Sequence, residues 1–225
     1  MSNLLFQDRT EAGQLLAGRV QYLANRPDVL VLAISRCSVP VAAEIARELR
    51  VPLDLFLVRP VPAPGNENVS MGTVAPGGLL VVNERVLRGL SISDEDLNKD
   101  STTLAREMEE IEKTCRAGSP PVRTSGKIVI MVDDGRASRQ TLRGAVIALR
   151  QQQPSGIILA MPVAALDLCA ELENEVEQMI CLETQEPGIA IGLYYRHFPE
   201  VTNEEVNELL RQSAEDLRQA ERPLR

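Results

Sequence analysis

Two adjacent carboxylates, Asp133 and Asp134, end the apolar run IVIMV at 128–132 and open a short polar loop, DDGRASRQ. A buried strand that finishes in acids and turns toward a helix sets carboxylate acceptors beside a helix N-terminus, where backbone N–H groups and the helix dipole favour an anion. The carboxylates can accept from vicinal hydroxyls while the loop, residues 135–140, holds a phosphate. Sugar hydroxyls beside a phosphate describe a ribose 5-phosphate. In open parallel sheets, ligands bind outside the carboxyl ends of the strands. Three more segments therefore qualify: 35–40, 59–77 and 184–197. The first contains Ser35, Arg36, Cys37 and Ser38.

Other chemistries are poorly supplied. Cys37, Cys115, Cys169 and Cys181 include no CxxC pair, and His197 is the one histidine, so a zinc site or a Cys/His dyad lacks ligands. His197 reads as solvated or structural, and Cys37 as filler at a strand end or a thiol near a cation. Twenty-four basic against 32 acidic residues give a net charge of −8, the wrong sign for nucleic acid. No apolar run approaches the roughly 18 residues of a membrane span, and the first residues lack a leader pattern. The expectation is a cytoplasmic protein without membrane or nucleic-acid partners.

The elements that must position these residues follow from periodicity. Runs at 29–34, 53–58, 79–82, 128–132, 156–163 and near 180, nearly all apolar throughout, read as buried strands. Between them lie helical patterns: one opened by Asp8 with Glu11 three residues on, then 41–50, Ser93 to Arg116, a helix through Leu149, one from about Leu166, and one begun by the capping box Thr202 to Glu205. The alternation predicts an α/β fold, a doubly wound and mainly parallel sheet with helices on both faces. Residues 1–225 are expected to form a single domain, and the Pro- and Gly-rich stretch of about 59–78 a flexible loop without regular structure. The charged helix 93–116 and the last helix read as solvated faces or a dimer surface.

The segment IVIMVDDGRASRQT resembles the phosphoribosyl-pyrophosphate (PRPP) motif of the type I phosphoribosyltransferases. SRCSVPVA resembles the pyrophosphate loop of a bacterial subgroup, the stretch after Arg59 stands where that family keeps its catalytic loop, and IGLYY resembles the C-terminal hood, here about 184–222. The resemblance implies Asp133 and Asp134 on the ribose hydroxyls, residues 138–141 on the 5-phosphate, Arg36 on the pyrophosphate, Mg²⁺ bound with PRPP, and Tyr194 against an acceptor base. It implies transfer of a phosphoribosyl group to a nitrogenous base and is compatible with a homodimer. Four positions, in three loops, depart from the family pattern: Cys37 and Ser38 replace Gly-Gly, Pro60 replaces lysine after Arg59, and Arg139 replaces a glycine whose dihedral freedom the phosphate loop uses, or else meets the phosphate with its own guanidinium. Ala137 argues against the hypoxanthine type. The departures keep a second class open, a catalytically degenerate nucleotide or sugar-phosphate sensor or scaffold.

Overall fold

The computed structural model describes residues 6–90, 92–186 and 188–220; the outermost residues of the expected domain, and Pro187, Glu221 and Arg222 of the expected hood, lie outside these. In chain order the elements are α1 (Arg9–Arg19), β1 (Val29–Ala33), α2 (Val39–Leu49), β2 (Leu53–Leu55), β3 (Arg59–Ala63), β4 (Asn66–Ala75), β5 (Leu79–Val82), α3 (Glu84–Leu90), α4 (Asp94–Arg116), β6 (Ile128–Val132), α5 (Arg139–Gln151), β7 (Gly156–Ala165), α6 (Leu166–Leu172), β8 (Gln178–Gln185) and α7 (Asn203–Ala220).

The apolar runs become a five-stranded parallel sheet in the order β2-β1-β6-β7-β8. Both faces are covered, and the strands show why continuous apolarity is required. Val29, Val31 and Ala33 point into the layer formed with α1, α2, α4 and α7, while Leu30 and Leu32 join Leu142, Val146 and Leu149 of α5 on the other face. Helix starts follow the caps legible in the sequence. Asp8 accepts from the Glu11 N–H, Ser93 from that of Asp96, and Thr202 and Glu205 exchange the reciprocal bonds of a capping box.

The chain leaves β1 for β2 on one side and returns to β6 on the other, so the loops after β1 and β6 diverge and open a crevice between them. The register sets its floor. Ala33 pairs with Val132, which brings Ile34–Ser35 level with Asp133–Asp134.

The segment 59–78 departs from expectation: it is not irregular but supplies two strands of an antiparallel sheet ordered β3-β4-β5. Pro60 and Pro62 belong to the Pro-rich composition behind that expectation. They alternate outward with buried Val61 and Ala63 on an edge strand, where a residue without an N–H is tolerated. Gly65, at φ +72°, makes the turn into β4. Near the C-terminus, Tyr194 and Tyr195 pack with Phe6, Ala12 and Val163, and Phe6 bridges to Tyr195. Helix α7 then lies along α2 and α4, with Val206 in the core.

Candidate active site

A cleft of about 480 Å³ opens at the crevice between β1 and β6. Its walls are Ser35, Arg36 and Cys37 after β1; Arg59, Pro60, Glu67 and Ser70 from the β3–β4 hairpin; Asp133, Asp134, Arg136, Ala137, Ser138 and Thr141 after β6; and Glu200. Three of the four segments chosen from sequence thus meet in one place, through the turn, the hairpin and the acidic loop; the fourth, 184–197, does not line the cleft, and Glu200, beyond it, does.

Asp133 is 1% exposed. Its Oδ2 accepts from the Gly135 N–H at 2.8 Å and the Ala137 N–H at 3.1 Å, and its Oδ1 from the Ser38 hydroxyl at 3.4 Å. Burial, then the charge of Asp134, pushes its carboxyl up to about 7, against the pull of those donors. Asp134 is also raised by burial, with the Arg9 guanidinium opposing the shift. Nε and Nη2 of Arg9 both donate to Asp134 Oδ2, at 3.1 and 3.0 Å. Asp134 Oδ1 is buried and accepts no hydrogen bond.

Helix α5 begins at the cleft. Ser138 caps it, accepting from the Thr141 N–H at 3.2 Å, and the two hydroxyls lie 2.9 Å apart. On the opposite wall, Arg36 sits in a 3₁₀ turn capped by Ser35, and its Nη1 donates to Asn203 Oδ1 at 2.9 Å. Arg59 reaches Glu107 at 3.0 Å. Arg136 pairs with Glu200 at 3.2 Å and donates to the Cys37 sulfur at 3.4 Å. Burial and the nearby charge of Asp134 push the Cys37 thiol up, so it stays protonated rather than becoming a reactive thiolate.

Eight of the sequence-predicted residues line the cleft: Ser35, Arg36, Cys37, Arg59, Asp133, Asp134, Ser138 and Thr141. Ser38 stands behind them as a donor to Asp133. Arg139 does not enter; its guanidinium turns to Asp167 and Glu171 of α6 at 2.7 and 2.8 Å. As the first residue of α5 it is not among the positive-φ residues, so the glycine-specific strain expected there does not arise. Gln140 faces the hairpin, its carbonyl accepting from Thr73. Tyr194, expected against a base, is 5% exposed inside the aromatic cluster and does not line the cleft. Sequence reasoning missed Arg9, Arg136, Glu67, Ser70 and Glu200. Arg9 was accessible through phase, since it falls three residues before Ala12 and seven before Leu16 on the stripe that α1 buries.

The architecture defines a class: a doubly wound α/β protein with its ligand cleft at the topological switch point, where paired acids face a helix N-terminus. The family model described as "Phosphoribosyl transferase domain" matches residues 7–196. The chain belongs to that family, and its pattern is of type I. Two Mycobacterium tuberculosis relatives, named "Putative phosphoribosyl transferase MT0597" and "Putative phosphoribosyl transferase Rv0571c", are each 30% identical over 216 residues, covering 96% of this chain and 48% of theirs. The chain thus spans about half the length of these curated relatives. A crystal structure of TT1426 from Thermus thermophilus superposes with a TM-score of 0.78 at 32% identity, covering 92% of this chain and 98% of that one. Among the described residues, no helix is long and apolar enough to cross a membrane.

Proposed function

We propose that the cleft binds PRPP or a related ribose 5-phosphate ligand, and that the protein transfers the phosphoribosyl group to a nitrogenous base with release of pyrophosphate. The observation that carries this reading is the buried, unpartnered Asp134 Oδ1 beside the Ser138–Thr141 turn that opens α5. A buried carboxylate oxygen without a donor is costly unless a ligand supplies one, and a ribose hydroxyl does. The 5-phosphate then accepts from the first turn of α5 and from the hydroxyls of Ser138 and Thr141. Arg36, which has no carboxylate partner among the described residues, faces the pyrophosphate.

In the reaction a base nitrogen bonds to C1 of the ribose as the C1–O bond to pyrophosphate breaks, and the bonding pair leaves with the pyrophosphate. Positive charge that develops on the sugar is stabilised by the acidic pair, chiefly the ionised Asp134, and negative charge on the leaving group by Arg36. Among the described residues no cluster of three or more His, Cys, Asp or Glu could hold a metal ion. This donor set fits Mg²⁺ that arrives on the phosphate oxygens with its waters rather than in a protein cage. Bound there, it would neutralise leaving-group charge.

Thermal unfolding with PRPP and Mg²⁺, beside ribose 5-phosphate, pyrophosphate and nucleoside monophosphates, tests the site. At a hundred times the dissociation constant, PRPP adds about 2.7 kcal/mol, a shift of several degrees. A panel of bases is then screened for pyrophosphate release. No shift with PRPP and no release with any base would overturn the proposal, and a shift with nucleotides alone would favour a sensor.

A further inference from the structure

Arg9 is a cation only 4% exposed, and the chemistry above gives it no part. We propose that Arg9 is a positioning residue: by occupying Oδ2 of Asp134 it fixes the carboxylate and leaves Oδ1 as the acceptor for a hydroxyl of a phosphorylated sugar. The ligand in this proposal rests on the phosphoribosyl reading; the geometry of the pair does not.

The arrangement is over-determined. Nε and Nη2 of Arg9 converge on the single oxygen Oδ2, its Nη1 donates to the Pro199 carbonyl at 2.6 Å, and its guanidinium carbon lies 3.7 Å above the Phe198 ring. A planar fork held on three sides leaves the carboxylate little rotational freedom. Lysine, with one nitrogen, cannot reproduce these contacts together.

The pair also decides which acid carries charge. Asp133 and Asp134 are adjacent and buried, so ionising both is costly. The charged and titratable groups facing Asp134 are Arg9 from α1, Asp133 and Arg136 from its own loop, Cys37 from the turn after β1, and Tyr195 from the C-terminal segment. Asp133 opposes a second negative charge; Cys37 and Tyr195 are both pushed up and stay neutral, and Arg136 already faces Glu200. Arg9 is the cation in direct contact. With Arg9 in place, Asp134 is the ionised acceptor and Asp133 retains the proton longer.

The test uses the full chain with R9K and R9M. Site-resolved ¹³C carboxylate titration is recorded without ligand, and binding of ribose 5-phosphate and of inorganic phosphate is measured by calorimetry near pH 6.5 and 8.5. In R9M the proton affinity of Asp134 rises about tenfold or more, since an opposite charge at contact distance has been removed. Ribose 5-phosphate binding falls about tenfold near pH 6.5 and partly recovers near pH 8.5, inorganic phosphate binding stays within about twofold, and R9K lies between. A purely structural role predicts parallel loss of both ligands at both pH values, and that result would overturn the proposal. So would an unmoved Asp134 titration. If wild-type protein binds phosphate as well as ribose 5-phosphate, the phosphoribosyl reading fails; the positioning of Asp134 is then decided by the titration alone. Should R9M not fold, R9K decides: its ammonium keeps the charge but not the fork, so Asp134 titrates as in the wild type while ribose 5-phosphate binding falls and inorganic phosphate binding holds, and parallel loss of both ligands overturns the proposal.

Discussion

Gly135 follows the two acids, and replacing it with alanine tests whether the loop that carries them is held as tightly as the geometry implies. Two independent costs add. Its φ of +98° is a conformation that L side chains rarely adopt, worth about 1–2 kcal/mol. An added Cβ would also stand 2.8 Å from the Val163 carbonyl oxygen and 3.2 Å from Ile191 Cγ2. The nearer atom is backbone of β7, inside the sheet between β6 and β8, and cannot swing aside as a side-chain end would. Overpacking of this kind costs about 1–3 kcal/mol, and the narrower unfolded ensemble of alanine offsets roughly half a kcal/mol. The expected loss is about 2–4 kcal/mol by urea denaturation with an unchanged slope, accompanied by weaker ligand binding, because the Gly135 N–H is a donor to Asp133. G118A supplies the control. Gly118 has φ +80° but no atom within 4 Å of an added Cβ, so it bears the conformational cost alone. If G135A loses no more stability than G118A, the collision with β7 is not real and the loop has room to shift.

Four further outcomes follow from the same contacts. Asp133, at about 7 in the fold against an ordinary 3.8, binds its proton more tightly folded than unfolded; stability therefore falls as pH rises from about 4 to about 7, by about 4 kcal/mol at most, and D133N flattens that slope in urea midpoints taken across the window. R36M weakens pyrophosphate binding about 10- to 100-fold by calorimetry, while the midpoint of unfolding moves little, because among the described residues the side chain gives a single bond, to Asn203. R139G leaves phosphate and ribose 5-phosphate affinity within about twofold and lowers stability by about 1 kcal/mol; a marked gain in affinity would show that the arginine does obstruct the loop. R116M strands the buried Asp54 carboxylate, its partner at 2.8 Å, and costs about 3–5 kcal/mol by denaturation without changing ligand affinity, since the pair lies outside the cleft.

What could be read in advance divides along a physical line. A strand buried on both faces must be apolar throughout, and a cap needs a particular side chain at a particular offset, so the parallel sheet and the starts of α1, α4 and α7 were legible from residue types alone. The acidic loop was legible because two carboxylates after an apolar strand have few other uses. Features that depend on which neighbour a side chain finds were not. The β3–β4 hairpin was hidden because Pro60 and Pro62 look like breakers until the strand is known to lie at an edge. Tyr194 and Arg139 stand at the expected sequence positions and point elsewhere, one into an aromatic cluster and the other toward α6.

Arg9 shows where such a reading can be extended. Once Asp8 is taken as the cap of α1, the phase of the helix is set, and Arg9 falls on the same stripe as Ala12 and Leu16. A guanidinium on a buried face requires an anion and several acceptors, because its desolvation is otherwise prohibitive. The sequence offers two acids that are themselves forced inward, at the end of a strand apolar on both faces. Each of these charges needs a partner, and the packing of α1 against α2, β7 and β8 brings its start within reach of the acidic loop. The ion pair between Arg9 and Asp134 is therefore the natural resolution of two separate burial problems, and it leaves one carboxylate oxygen unsatisfied. In the proposed function that remaining acceptor, rather than the acidic motif by itself, selects a ligand that can donate a hydroxyl.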